Sequence, residues 1–70
     1  MSGDVTVVLN GEERPAPPEA TVLALLETLG VAPARVAVEV NGDVLRRADF
    51  ARRILRDGDR IELVQFVGGG

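Results

Sequence analysis

The sequence contains no cysteine, no histidine, no tryptophan and no tyrosine among its 70 residues. Without cysteine, neither a disulfide nor a thiolate metal site can stabilise the fold, and without histidine the chain has no imidazole base near neutral pH. A chain this short lies near the lower size limit for a core held together by packing alone. Hydrophobic residues make up 46% of the composition. We therefore expect one globular domain with an economical apolar core.

Lysine is also absent, because all eight basic residues are arginines, and 11 acidic residues outnumber them to give a net charge of -3. This balance argues against nucleic acid or an anionic membrane as a partner. Residues 1–4 lack the basic start of a secretory signal, and no segment reaches the roughly 18 apolar residues of a membrane span. We therefore expect a cytoplasmic protein.

The first part of the chain is typical of a β-hairpin at a sheet edge. An apolar run, Val5–Leu9, precedes Asn10-Gly11, the dipeptide best suited to a tight turn between antiparallel strands. A second strand is expected over Glu12–Ala16. Pro15 has no N–H to donate, so this second strand belongs at the edge of the sheet.

A helical pattern follows, with Thr21 as the expected N-cap and Gly30 as the left-handed residue beyond the last turn. Apolar residues recur there at positions i, i+3, i+4 and i+7, namely Val22, Leu25, Leu26 and Leu29. This spacing predicts an amphipathic helix whose apolar stripe packs on a sheet.

In the rest of the chain, apolar and polar residues alternate with the period of two that is typical of β-strands. Val36–Val40 places its valines on one face, Asn41-Gly42 repeats the turn dipeptide, and a short strand is expected around residues 44–45. Residues 48–55 predict a short helix or helical turn with Phe50 and Ile54 facing the core. Residues 57–59 suit a turn. In a last strand over residues 60–66, Ile61 and Leu63 alternate with Glu62, Val64 and Phe66.

This order of elements predicts an α+β domain of the β-grasp type, a mixed sheet of four to five strands on one main helix. If the first and last strands lie side by side and parallel at its centre, the long segment between them is the crossover that parallel pairing requires. We assign residues 1–67 to the domain and 68–70 to a flexible tail. The predicted core comprises Val5, Val7, Leu9, Val22, Leu25, Leu26, Leu29, Val36, Val38, Phe50, Ile54, Ile61 and Leu63.

Side chains able to perform catalysis are scarce. The paired carboxylates Glu12-Glu13 and Asp57/Asp59 are interpreted as turn residues, because so small a domain has little room for a cleft. A local basic cluster has two interpretations, a solvated face or a patch that docks an acidic partner. Its members are Arg46, Arg47, Arg52, Arg53 and Arg56.

Three final glycines, residues 68–70, are not explained by packing, because they add no side chains and cost conformational entropy. Apolar Val64, Phe66 and Val67 come directly before them. This arrangement suggests a docking surface followed by a tail that enters a narrow channel, where only a chain without Cβ atoms fits. With no thiol, imidazole or amine side chain available, the carboxylate of Gly70 is the expected reacting group.

Three stretches, residues 38–47, 55–62 and 64–70, carry a family resemblance that covers nearly the whole chain. The sequence resembles the ThiS family of sulfur carriers in thiamin thiazole biosynthesis. The resemblance implies that an E1-like adenylyltransferase of the ThiF type uses ATP and magnesium to adenylate Gly70. Sulfur from cysteine, delivered by a desulfurase persulfide, would then give a thiocarboxylate for a thiazole synthase of the ThiG type.

On this resemblance the chain is a protein cosubstrate, binds no cofactor and is not an enzyme. Gly68 and Gly69 would thread the partner active sites, while Val64, Phe66 and Val67 would line the docking surface. Alternatives remain open: a carrier for molybdopterin, cysteine or tRNA thiolation, a ubiquitin-like protein modifier, or a plain interaction domain. The molybdopterin relatives typically have prolines just before their glycines, and residues 65–67 have none.

Overall fold

The computed structural model describes residues 3–66. The expectations for Val67 and for the tail over residues 68–70 lie outside this range. The described part contains one α-helix, α1 (Val22–Leu29), and two short 3₁₀ helices (Pro33–Arg35 and Arg47–Asp49). Its five strands are β1 (Val5–Leu9), β2 (Glu12–Ala16), β3 (Val36–Val40), β4 (Asp43–Leu45) and β5 (Arg60–Gln65).

The strands form one mixed sheet in the order β2-β1-β5-β3-β4. The central strands β1 and β5 are parallel, and the β1–β2, β3–β5 and β3–β4 pairs are antiparallel. β2, which carries Pro15, is an edge strand, where a missing N–H costs no ladder hydrogen bond. The predicted α+β architecture of the β-grasp type is therefore confirmed.

The two Asn-Gly turns have the backbone that their sequence predicts. Asn10 and Asn41 have φ values of 47° and 55°, and Gly11 and Gly42 have 86° and 88°. Positive φ at both central residues defines the turn whose twist matches that of the flanking strands. Both hairpins thus result from local sequence.

Helix α1 begins and ends at the predicted residues. The Thr21 hydroxyl accepts a hydrogen bond from the Ala24 N–H at 3.1 Å, and Gly30 adopts the left-handed conformation with φ 74°. Val22, Leu25 and Leu26 are buried beneath the sheet. No helix within residues 3–66 is long and apolar enough to cross a membrane.

The core differs from the prediction at residues 54 and 55, and it also contains Ala16 and Val40, which the predicted core did not include. Its buried members are Val7, Leu9, Ala16, Val22, Leu25, Leu26, Val36, Val38, Val40, Phe50, Leu55 and Ile61. Val5, Leu29 and Leu63 pack against them as partly buried residues. The predicted core placement of Ile54 is wrong, because 43% of this residue is exposed, whereas its neighbour Leu55 is 2% exposed.

The backbone conformation explains why Leu55, and not Ile54, is buried in the core. No helix continues to this point: Ile54 forms an isolated antiparallel bridge with Thr21, and the Leu55 N–H donates to the Ala20 carbonyl at 2.8 Å. Neighbouring side chains in extended backbone point in opposite directions. Leu55 therefore enters the core and Ile54 turns outward.

Candidate functional site

The candidate site is the end of β5, the central strand that leads toward residues 67–70. Ile61 on this strand is fully buried, whereas Val64 and Phe66 are 60% and 59% exposed. The alternation along the strand is therefore as predicted, and Val64 and Phe66 lie on the face of the sheet opposite α1. Their role in docking stays a prediction.

The register of the sheet places further residues beside Val64. Ala37 lies opposite Val64, Glu39 lies opposite Glu62, and Val44 on the edge strand lies opposite Glu39. Val44 is 75% exposed. We call this surface the outer patch; it consists of Ala37, Glu39, Val44, Glu62, Val64 and Phe66. Sequence reasoning missed Val44 and the carboxylate pair, because cross-strand neighbours depend on register.

Hydrogen bonds hold β5 on both sides near its end. On the β3 side, the Phe66 N–H donates to the Arg35 carbonyl at 2.8 Å. On the β1 side, the Asn10 side chain binds Leu63 twice: its Oδ1 accepts from the Leu63 N–H at 2.8 Å, and its Nδ2 donates to the Leu63 carbonyl at 3.3 Å. The side chain of Asn10 thus continues the hydrogen bonding on the β1 side from Ile61 to Leu63.

Asn41 has a corresponding role at the start of β5. Its Oδ1 accepts from the Arg60 N–H at 2.9 Å, and its own N–H donates to the Arg60 carbonyl at 2.7 Å. The two Asn-Gly turns therefore each contact the backbone of the strand that leads to the glycines. The sequence predicted the turns but not these contacts.

Asp59 anchors the same end of β5 and is 6% exposed. Its carboxylate accepts from the Arg56 N–H at 2.8 Å and from Asn41 Nδ2 at 3.0 Å, and it forms an ion pair with Arg53 at 3.1 Å. Burial raises the pKa of Asp59, but the hydrogen bonds from Arg56, Asn41 and Arg53 outweigh it and lower the pKa below the usual 3.8. Asp59 is therefore more than the predicted turn residue.

The basic cluster divides in two in the structure. Arg53 is half-buried and pairs with Asp59, so this arginine is structural. The other members, Arg46, Arg47, Arg52 and Arg56, have exposed side chains. Both interpretations, solvated face and docking patch, stay open for these four.

The described residues offer little for catalysis. An apolar hollow of about 90 Å³ lies beside α1, between Ala16, Ala24 and Leu55, and ligand sites are typically about 300–1,000 Å³. Within residues 3–66, no group of three or more metal-binding side chains comes together. The arrangement instead presents an exposed sheet face beside the exit of a central strand.

These features define a β-grasp domain with a candidate docking face at the end of its central strand. The sequence model of the ThiS family matches residues 7–70. The crystal structure of a thiamine biosynthesis protein (ThiS) from Geobacter metallireducens superimposes with a TM-score of 0.78 at 38% identity, covering 94% of this chain and all of that one. The chain belongs to the ThiS family.

Relatives with curated names are of two sizes. The sulfur carrier protein ThiS of Thermus thermophilus is 41% identical over 64 residues, which cover 91% of this chain and 98% of that protein. A thiazole synthase of Paramagnetospirillum magneticum is 45% identical, also over 64 residues. The chain spans about a fifth (20%) of the length of that synthase.

Proposed function

We propose that this protein is a sulfur carrier for thiamin biosynthesis, and that it carries the sulfur as a thiocarboxylate on Gly70. The observation that carries the proposal is the ThiS family match, which extends through the glycines to residue 70. The relative of nearly equal length is named a sulfur carrier protein, and a larger one is named a thiazole synthase. These two names support a carrier that works together with a thiazole synthase.

The chemistry begins at a carboxylate, which is a poor electrophile. An E1-like enzyme would bind ATP and magnesium and join the Gly70 carboxylate to AMP, with release of pyrophosphate. A desulfurase persulfide would then attack the acyl carbon and displace AMP, and a thiol would cleave the resulting acyl disulfide to leave the thiocarboxylate. Thiazole synthase would accept this sulfur, so the chain acts as a cosubstrate.

The chain itself would bring the Gly70 carboxylate into the active site of its partner. Gly68, Gly69 and Gly70 have no Cβ, so they fit a tunnel that would exclude larger residues. Val64 and Phe66 are exposed beside the strand exit, where their burial by a partner would contribute binding free energy. We assign them, together with Val67, to partner docking.

Intact-mass measurement tests the proposal. The protein is incubated with a ThiF-type adenylyltransferase, MgATP, a cysteine desulfurase, cysteine and a thiol reductant. We expect a mass gain equal to replacement of one oxygen atom by sulfur, and no gain for a variant that lacks Gly70. A complete system that leaves the mass of the unaltered protein unchanged contradicts the proposal.

A complementation experiment tests the pathway. The gene is introduced into a bacterial strain that needs thiamin because it lacks its own sulfur carrier, and separately into a strain that lacks the molybdopterin carrier. We expect growth without thiamin in the first strain and no rescue in the second. Rescue of the second strain alone would assign the protein to molybdopterin synthesis.

A further inference from the structure

The outer patch combines exposed apolar side chains with two carboxylates. Val44, Val64 and Phe66 are exposed on it. Glu39 and Glu62 lie directly opposite each other on β3 and β5. This acidic pair has apolar neighbours on two sides, because Val44 lies opposite Glu39 on β4 and Val64 follows Glu62 by two residues on β5.

No cation of the described chain neutralises the pair. Within residues 3–66 the ion pair that forms is Arg53–Asp59, and Arg60 forms none with Glu62, although both lie on the same face. Directly opposite residues of an antiparallel pair have Cβ atoms about 5 Å apart. One guanidinium or ammonium group, which carries several N–H donors, can therefore contact both carboxylates.

A partner that covers the apolar side chains must also cover the carboxylates between them. Removal of water from an ionised carboxylate costs free energy unless an opposite charge takes the place of the water. We propose that the outer patch docks the adenylating enzyme of the proposed function, and that this enzyme places an arginine or lysine side chain against both Glu39 and Glu62. The inference rests on the proposed function and adds to it the charge of the partner surface.

The same charges argue against a second copy of this chain as the occupant. Two outer patches placed face to face would bring four carboxylates together, and like charges at an interface oppose association. A basic enzyme surface instead relieves the repulsion that the pair has in the free carrier. Charge complementarity therefore favours the enzyme.

Neutralisation of the pair tests the inference with little change in side-chain size. In the double variant Glu39→Gln/Glu62→Gln, an amide replaces each carboxylate. We expect this variant to bind a ThiF-type adenylyltransferase about tenfold more weakly than the parent at low salt, in calorimetry without ATP. Its binding should also depend less on salt, because it lacks the charges that salt screens. The control Glu27→Gln removes one negative charge from exposed helix α1 and should bind within about twofold of the parent.

Thermal unfolding separates docking from folding. Loss of the repulsion should leave the double variant at least as stable as the parent, so weaker binding cannot result from unfolding. Binding of the double variant as tight as that of the parent would overturn the inference. A dimer of the parent in sedimentation experiments that Val64→Ser abolishes would also overturn it, because a second copy would then occupy the patch.

The outcomes distinguish this inference from the proposed function. If the parent protein binds the enzyme but gains no sulfur in the mass measurement, the proposed function fails, and the binding comparison still decides the charge pairing. If the parent gains sulfur and the double variant binds equally well, the function stands and the charge pairing is wrong. Failure of the parent to bind the enzyme overturns both.

Discussion

At the scale of single residues, the carboxylate of Asp59 connects parts of the chain that are distant in sequence. It accepts hydrogen bonds from the Arg56 backbone and from Asn41 in the β3–β4 turn, and it pairs with Arg53. Each of these donors depends on a carboxylate that is almost fully buried. The loss of Asp59 would therefore leave several polar groups without their partner.

We expect Asp59→Ala to lower the free energy of unfolding by about 1–3 kcal/mol, the usual cost of leaving buried donors unsatisfied. Asp43→Ala is the matched control, because Asp43 is exposed, and it should change stability by less than about 0.5 kcal/mol. Denaturant titrations of the three proteins measure the difference. Equal stabilities of the two variants would show that the Asp59 contacts contribute nothing.

The same carboxylate makes stability depend on pH. The pKa of Asp59 is lower in the folded protein than its usual value of 3.8, so the charged form stabilises the fold. This contribution is present above about pH 4 and is lost as the pH falls through the folded pKa. We expect the stability gap between the parent and Asp59→Ala to narrow between about pH 5 and pH 2, as followed by denaturant titration.

At the scale of secondary-structure elements, β3 and β5 place two like charges directly opposite each other on the outer patch, Glu39 and Glu62. Within residues 3–66, neither carboxylate forms an ion pair, although Arg60 lies two residues before Glu62 on the same face. Opposed like charges across a strand pair are destabilising. The outer patch therefore contains a like-charge pair that no ion pair within residues 3–66 offsets.

Glu62→Gln is expected to raise the free energy of unfolding by a few tenths of a kcal/mol, because it removes the repulsion across the pair. Glu13→Gln is the control: Glu13 lies opposite uncharged Val8 and should respond less. Thermal unfolding at low and high salt measures both, and the gain for Glu62→Gln should shrink as salt screens the charges. A gain that salt leaves unchanged would exclude repulsion as its cause.

At the scale of the whole molecule, the two faces of the sheet have different surroundings. One face packs on α1 and contains the buried residues of the core, while the other exposes Val64 and Phe66 at the strand exit. Substitutions on the exposed side should therefore change partner binding without unfolding the protein.

We expect Val64→Ser and Phe66→Ser each to lower the rate of sulfur loading at low protein concentration by about tenfold, because a partner that covers them loses apolar burial. Their thermal unfolding should stay close to that of the parent. Ile54→Ser is the control, since Ile54 is also exposed but lies beside Thr21 at the start of α1. If all three variants are loaded with sulfur at the same rate, Val64 and Phe66 are not part of the docking surface.

Local sequence determined most of the architecture. The Asn-Gly dipeptides predicted both hairpin turns, Thr21 and Gly30 marked the helix, and alternation placed Val64 and Phe66 opposite Ile61. These features could be predicted because turn, cap and strand preferences depend on a few neighbouring residues. The reacting role assigned to Gly70 rests on the sequence and the family match alone, because that residue lies outside the described range.

Tertiary structure alone decided the relations between distant residues. Ile54 and Leu55 are equally apolar in sequence, and only the pairing of residue 54 with Thr21 put Leu55 into the core. The sequence alone predicted Asp59 as a turn residue, whereas the fold brings Asn41 and Arg53 to its carboxylate, and it also brings the Asn10 side chain to the backbone of Leu63. Contacts of this kind depend on register and on crossovers, which neighbouring residues do not specify.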